Sequence, residues 1–274
     1  MALPSSLKTE SPIFELAQLK KHFGKNLAVN GIDLAIYEGE IRGLIGPNGA
    51  GKTTVFNLVS GFLRPSGGLI RWQGEELGGK PPHEIVRKGI SRTFQLNVLL
   101  KEMTAIENVI MGCRFHYNSG TFQQLLKVVT TNKDDISVME KALNLLDFMG
   151  IAEMKDELAG ELPHGHQRCL GIAIALSTNP KLLLLDEPIT GMNPVEALET
   201  MERIKKLRDK GVTILLVEHN MREVMNTCDN VTVINFGEKI AEGNPEEVCS
   251  NEAVIEAYLG SSMKGLEGAN VCSV

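Results

Sequence analysis

No stretch of the chain approaches the roughly 20 consecutive apolar residues needed to cross a bilayer; its longest apolar runs, such as Leu182-Leu183-Leu184-Leu185, are strand-sized. Met1 to Ser11 lacks the apolar run of a secretory signal. Cysteine is sparse: Cys113, Cys169, Cys228, Cys249 and Cys272 are scattered, with no CxxC pair. An odd, dispersed count suits reduced thiols better than a disulfide framework. A basic excess is also missing. Against 28 Lys and Arg stand 34 Asp and Glu, for a net charge of −6. Proteins that live on nucleic-acid phosphates usually carry the opposite balance. Internal repeats, low-complexity runs and long heptads are absent too. These absences lead us to expect a cytosolic, acidic protein with an ordinary folded core.

What is present fits that expectation. The chain has 274 residues, 43% hydrophobic and 23% charged, enough to bury roughly three quarters of its unfolded surface. Short apolar runs alternate with helix-length segments, an α/β pattern. Ile32, Leu34 and Ile36 alternate like a half-buried antiparallel strand, and Glu38-Gly39-Glu40 makes a turn. Ile41 to Ile45 then leads into a glycine-rich loop, with a helix expected over Thr53 to Leu63. The middle, from about Asn97 to Pro180, reads mainly as helix. Its Val138, Ala142, Leu145, Leu146 and Met149 share one face, and Gly150 stands at a C-terminal cap position. Strands are expected again over Lys181–Asp186 and Val212–Val217, with an amphipathic helix from Val195 to Lys210 between them. Asn244-Pro245-Glu246-Glu247 reads as a helix start.

Gly46-Pro47-Asn48-Gly49-Ala50-Gly51-Lys52-Thr53 fits the pattern G-x-x-x-x-G-K-[ST] between a strand and a helix. Glycines let backbone N–H groups curl around phosphate oxygens, Lys52 reaches the β- and γ-phosphates, and the Thr53 hydroxyl ligates Mg2+. The helix that starts there turns its positive dipole end toward the anion. Lys181 to Leu185, ending in Asp186-Glu187, is the natural complement. An aspartate at such a strand end holds Mg2+, and the carboxylate after it points the other way and can polarise an attacking water.

With these motifs in place, the chain resembles the ATP-binding-cassette family from Phe14 to Gly260. Five features in order carry the resemblance. They are the phosphate loop, Gln95 after Ile90-Ser91-Arg92-Thr93-Phe94, the segment Leu162-Pro163-His164-Gly165-His166-Gln167-Arg168, Asp186-Glu187-Pro188, and His219 after the strand ending at Val217. The resemblance implies a phosphate-loop NTPase core with a mixed sheet, an antiparallel β subdomain and an inserted helical subdomain. It places one ATPase domain over 12–260, with core segments 12–96 and 181–260, a helical subdomain over 97–180, and a tail over 261–274.

The same resemblance implies roles. Glu187, His219, Lys52 and Gln95 would be the catalytic set. Thr53, Gln95 and Asp186 would hold Mg2+. ATP would be bound by Phe23, stacking on adenine, and by Gly46, Asn48, Gly49, Gly51, Lys52, Thr53 and Thr54, with Gly165 and His166 acting from the opposite subunit. Thr190-Gly191-Met192-Asn193 sits where the loop meets that subunit, with Asn193 in place of the more frequent aspartate. The signature departs from Leu-Ser-Gly-Gly-Gln. Pro163 has neither hydroxyl nor N–H, and one donor lost at a charged acceptor is worth about 1.5–3 kcal/mol.

Further stretches are similar to the ATPase subunits of branched-chain amino-acid importers. They include Gly89 to Gln95, Lys101 to Val109, Val217-Glu218-His219-Asn220-Met221 and the ending Glu256-Ala257-Tyr258-Leu259-Gly260. That kinship implies two cassettes, identical or not, on two membrane permeases, with a solute-binding protein beyond. It places the chain peripherally on the cytoplasmic face of the inner membrane, attached through permeases rather than to nucleic acid. Urea and short-amide importers share these motifs. A lipid or polysaccharide exporter, or a soluble cassette acting on nucleic acid, are the alternatives; the net charge of −6 weighs against the latter.

Overall fold

The structure is a computed structural model in which residues 11–93, 99–117 and 133–259 are described. Gln95, Leu96 and the tail from Gly260 onward lie outside these residues.

Two sheets organise the molecule. The first is antiparallel, in the order β2-β1-β4-β5, built from β1 (Phe14–Phe23), β2 (Asn26–Ile36), β4 (Gly67–Trp72) and β5 (Glu75–Glu76). The Ile32, Leu34 and Ile36 alternation puts all three in the core, as period-2 patterning requires. The second sheet has the order β10-β9-β3-β8-β7-β6. Its members are β3 (Ile41–Ile45), β6 (Ile90–Arg92), β7 (Leu182–Asp186), β8 (Thr213–Val217), β9 (Asn230–Asn235) and β10 (Glu238–Gly243). All neighbours are parallel except β10, which runs antiparallel along β9.

Every residue of β3, β7 and β8 is buried, because this sheet is covered on both faces. Leu182 and Leu184, with Leu215 and Val217, join the apolar layer against the first sheet, which includes Phe14, Phe56 and Trp72. Leu183 and Leu185, with Ile214 and Leu216, face the opposite layer and its helices. The run of four leucines thus serves two cores at once, alternate residues pointing to opposite sides.

α2 (Pro82–Arg87) leads into β6, and between β6 and β7 the described helices are α3 (Ala105–Tyr117), α4 (Lys133–Phe148) and α5 (His164–Ser177). Val138, Ala142, Leu146 and Met149 turn inward, and Gly150 ends the run at φ +74. α1 (Lys52–Val59) is shorter than the helix expected to Leu63. The Ser60 hydroxyl bonds back to the Phe56 carbonyl at 2.5 Å, and Gly61 reverses the chain at φ +78. α6 (Pro194–Asp209) starts at a reciprocal cap: Asn193 accepts from the Val195 and Glu196 N–H groups while Glu196 accepts from the Asn193 N–H. Asn244 and Glu247 cap α8 (Pro245–Cys249) in the same way. Between α6 and α8 lies α7 (Met221–Thr227), and α9 (Glu252–Leu259) follows.

Cys113, Cys169 and Cys228 are free and buried. Cys249 is disulfide-bonded. That corrects the expectation of thiols throughout, since bridging depends on sulfurs meeting in space rather than on spacing in sequence. No helix among the described residues is long and apolar enough to cross a membrane.

Candidate nucleotide-hydrolysis site

Parallel strands bring their C-terminal ends to one edge, where open α/β sheets carry their sites. Here β3, β8 and β7 are neighbours. The loops after them therefore converge.

The loop after β3 is pinned to two neighbours. At Gly46, φ is +154, and a Cβ would stand 2.0 Å from the Ile234 carbonyl of β9. At Gly51, φ is +106, and a Cβ would stand 2.7 Å from the Ala28 carbonyl of β2. Only glycine admits such backbone approach. The Gly237 N–H, from the turn between β9 and β10, donates to the Ala50 carbonyl at 2.9 Å, and the Asn30 N–H donates to the Gly237 carbonyl at 2.8 Å. Lys52 is 6% exposed. Its ammonium donates to the carbonyls of Gly46, at 2.6 Å, and Pro47, at 3.0 Å. Burial lowers the Lys52 pKa, while Glu187 and Asp186 oppose that shift.

α1 begins without a side-chain cap and without an acid in its first turn. Its leading N–H groups and dipole are thus available to an anion. A cleft of about 590 Å³ opens there. It is lined by the loop from Asn48 to Thr54, by Asn26, Leu27 and Ala28 of the first sheet, and by Glu187, His219 and Phe236. A buried cation, unsatisfied N–H donors and space together fit a polyphosphate.

The loops after β7 and β8 supply the acid and base groups. Glu187 sits at φ +49, a left-handed conformation that costs a non-glycine residue energy and clusters at functional sites. Its N–H is held by the Val217 carbonyl at 2.9 Å. Its Oε1 lies 2.6 Å from His219 Nε2, and Oε2 accepts from the Thr190 hydroxyl at 3.4 Å. Asp186, one residue earlier, points the other way. It is 4% exposed and ion-paired to Arg92 at 2.7 Å. Arg92 also donates to Asn57 and Ser60 and lies over the Phe56 ring.

Of the residues expected from sequence, Asn48, Gly49, Gly51, Lys52, Thr53, Thr54, Glu187 and His219 line one cleft, and Gly46 forms its base through Lys52. Asp186 borders a second cavity instead, an apolar groove of about 310 Å³ beside Phe62, Ile85, Leu99 and Ile172. Phe23 stands at the end of β1, 47% exposed, with the Lys21 ammonium 5.2 Å from its ring centre. It is absent from the cleft lining, though its strand partner Asn26 is part of it. Gly165 and His166 are in the first turn of α5, where Gly165 packs against Met192 and Glu196. Neither lines the cleft. Gln95 lies outside the described residues. Among the described residues there is no cluster of three or more His, Cys, Asp or Glu side chains that could hold a metal. Thr53 lines the cleft and Asp186 does not; each carries an oxygen of the kind Mg2+ takes, and the Asp186 carboxylate is engaged by Arg92.

Sequence reading missed several contributors: Asn26 to Ala28, Phe236, and Arg92 as the partner of Asp186. An aromatic directly before Gly237 in a hairpin turn was a visible signal for Phe236. The ion pair crosses from strand to strand and left no local mark.

A phosphate loop, an acidic strand end and a histidine in the loop after the adjacent strand define a phosphate-loop nucleotide hydrolase. The model of the ABC transporter family matches residues 29–190. The chain belongs to that family and is an ATP hydrolase of its type. A second family description, branched-chain amino acid ATP-binding cassette transporter, matches residues 238–263. The high-affinity branched-chain amino acid transport ATP-binding protein BraF of Pseudomonas aeruginosa is 45% identical over 252 residues, covering 92% of this chain and 99% of that protein. The corresponding LivG of Escherichia coli is 42% identical with the same coverage. Among solved structures, the ADP conformation of MJ1267, an ATP-binding cassette of an ABC transporter, superposes with a TM-score of 0.80 at 34% identity. It covers 92% of this chain and 100% of that one.

Proposed function

We propose that the chain is the ATP-hydrolysing subunit of an importer for branched-chain or other hydrophobic amino acids, or for related small solutes such as urea and short amides. The observation that carries this is the end-to-end likeness to BraF, 45% identity covering 99% of that protein. Full-length kinship of this kind leaves the exporter and nucleic-acid readings without support of their own. In this reading the chain sits peripherally on the cytoplasmic face of the inner membrane and pairs with a second cassette. It drives two permeases fed by a solute-binding protein. The apolar groove beside Leu99 and Ile172 suits a permease segment, because its walls join the helical layer to the strand ends of the core.

ATP lies with its phosphates in the Gly46–Thr54 loop and its base toward Phe23. Lys52 and His219 stabilise charge on the γ-phosphoryl oxygens as the terminal bond breaks. Glu187 orients the water that attacks in line, and its 2.6 Å contact with His219 keeps both groups aimed at one place. Thr53, Asp186 and Gln95 would be the residues to hold Mg2+, which would supply charge neutralisation at the phosphates. Gly165 and His166 face the partner's nucleotide through the start of α5, so each complete site needs two chains.

Two measurements test this. Glu187→Gln should retain nucleotide binding and slow single-turnover hydrolysis by at least about 100-fold; an unchanged rate overturns the assignment. ATPase activity of the complex reconstituted with its permeases should rise on adding a branched-chain amino acid with the binding protein; no response to any such solute overturns the transport reading.

A further inference from the structure

Glu218 directly follows β8, beside His219, and is 3% exposed. A carboxylate is a costly group to bury without partners, so its contacts matter. Oε1 accepts the Ile189 N–H at 3.1 Å, from the loop that follows Glu187. Oε2 accepts the His219 N–H at 3.0 Å, and the Asn220 N–H is a third donor. One side chain therefore ties the loop after β7 to the loop after β8. These are the loops that carry the two members of the Glu187–His219 pair.

Burial raises the Glu218 pKa, and its three N–H donors oppose that rise. A neutral side chain could fill the same space at lower desolvation cost. A carboxylate, however, has two oxygens that accept at once, whereas an amide offers one acceptor and turns N–H toward a donor. The requirement here is two acceptors facing two different loops.

We infer that Glu218 is a positioning residue for ATP hydrolysis, clamping the Ile189 backbone to the His219 backbone so that Glu187 and His219 stay in contact. The inference rests on the roles given above to Glu187 and His219. Glu218 is absent from the lining of the nucleotide cleft. It acts through the two backbones.

The test uses the purified full chain in single-turnover ATP hydrolysis. Glu218→Gln should lower the rate by about tenfold while the affinity for a fluorescent ATP analogue changes by less than about twofold. In a His219→Ala background the same substitution should add less than about twofold, because the group it positions is gone. An equal loss in both backgrounds, or no loss in the native one, overturns the inference. If His219→Ala and Glu187→Gln themselves hydrolyse at the native rate, the reading of the site fails instead. Amide hydrogen exchange on the unmodified chain needs no variant and covers the case in which Glu218→Gln does not fold. The Ile189 and His219 amides should be protected to the level of β8, and rapid exchange at Ile189 overturns the clamp.

Discussion

Replacing Arg92 by Met strips the partner from a buried carboxylate. Arg92 and Asp186 keep only 8% and 5% of their side-chain surface exposed, and their contact is 2.7 Å. In the variant the buried Asp186 carboxyl loses its ion pair and keeps only the more distant Lys52 as a neighbouring cation. Removing one member of such a pair costs about 3–5 kcal/mol, most of it the penalty of an uncompensated charge. The loss also takes the donors to Asn57 Oδ1 and Ser60 Oγ, so the upper half of that range is expected. For a chain of this length the thermal midpoint should fall by roughly 7–9 °C. The assays are thermal and urea denaturation followed by circular dichroism, run beside the double variant Arg92→Met, Asp186→Leu. Taking both charges away together removes the unpaired carboxylate, so the double variant should be clearly more stable than Arg92→Met alone. A loss below about 1 kcal/mol in the single variant, or additive losses in the double, would refute the reasoning.

Further outcomes follow from the same geometry. Gly46→Ala places a methyl group against the Ile234 carbonyl and should destabilise the chain by more than about 2 kcal/mol in thermal unfolding. Asn193→Ala removes the acceptor for two N–H groups at the start of α6 and should cost about 1 kcal/mol in the same measurement. Burial raises the thiol pKa of Cys113, Cys169 and Cys228. Their thiolate forms thus appear only above the usual alkaline range, and iodoacetamide at pH 8 should leave these three unlabelled in the native chain, as read by peptide mass spectrometry; labelling at the rate of a free thiol would contradict their burial. Phe236→Ala removes a ring that is 85% exposed and should change stability by less than about 0.5 kcal/mol.

The phosphate loop and the two apolar strands were legible because their signals are local: glycine spacing in one case, runs of leucine and valine in the other. Strand neighbours were not. Nothing in the run Ile90-Ser91-Arg92 says that its arginine will meet Asp186, 94 residues on; that follows from β6 lying beside β7. Glu218 was legible only as part of a family-like string, since its partner is the backbone of Ile189 and carries no residue identity. The end of α1 at Val59 was hidden because apolar spacing continues through Phe62 and Leu63, while the stop is made by Gly61. Gly165 and His166 illustrate a different limit. Their sequence position was clear, yet one copy of the chain leaves them apart from the cleft.

The turn at Gly237 is hydrogen-bonded to the phosphate loop on one side and to β2 on the other, so the loop is splinted between two sheets. A splinted loop has little conformational freedom to surrender when an anion arrives. Nucleotide affinity at this end of the cleft should therefore vary little with temperature-driven loosening of the rest of the chain. The loops after β7 and β8 are tied instead to each other, through the Glu187 N–H on the Val217 carbonyl, the Glu187–His219 contact and Glu218, so a shift in one is carried to the other. In mechanical terms the phosphate loop is the anvil, and the histidine loop with its neighbour is the part that strikes.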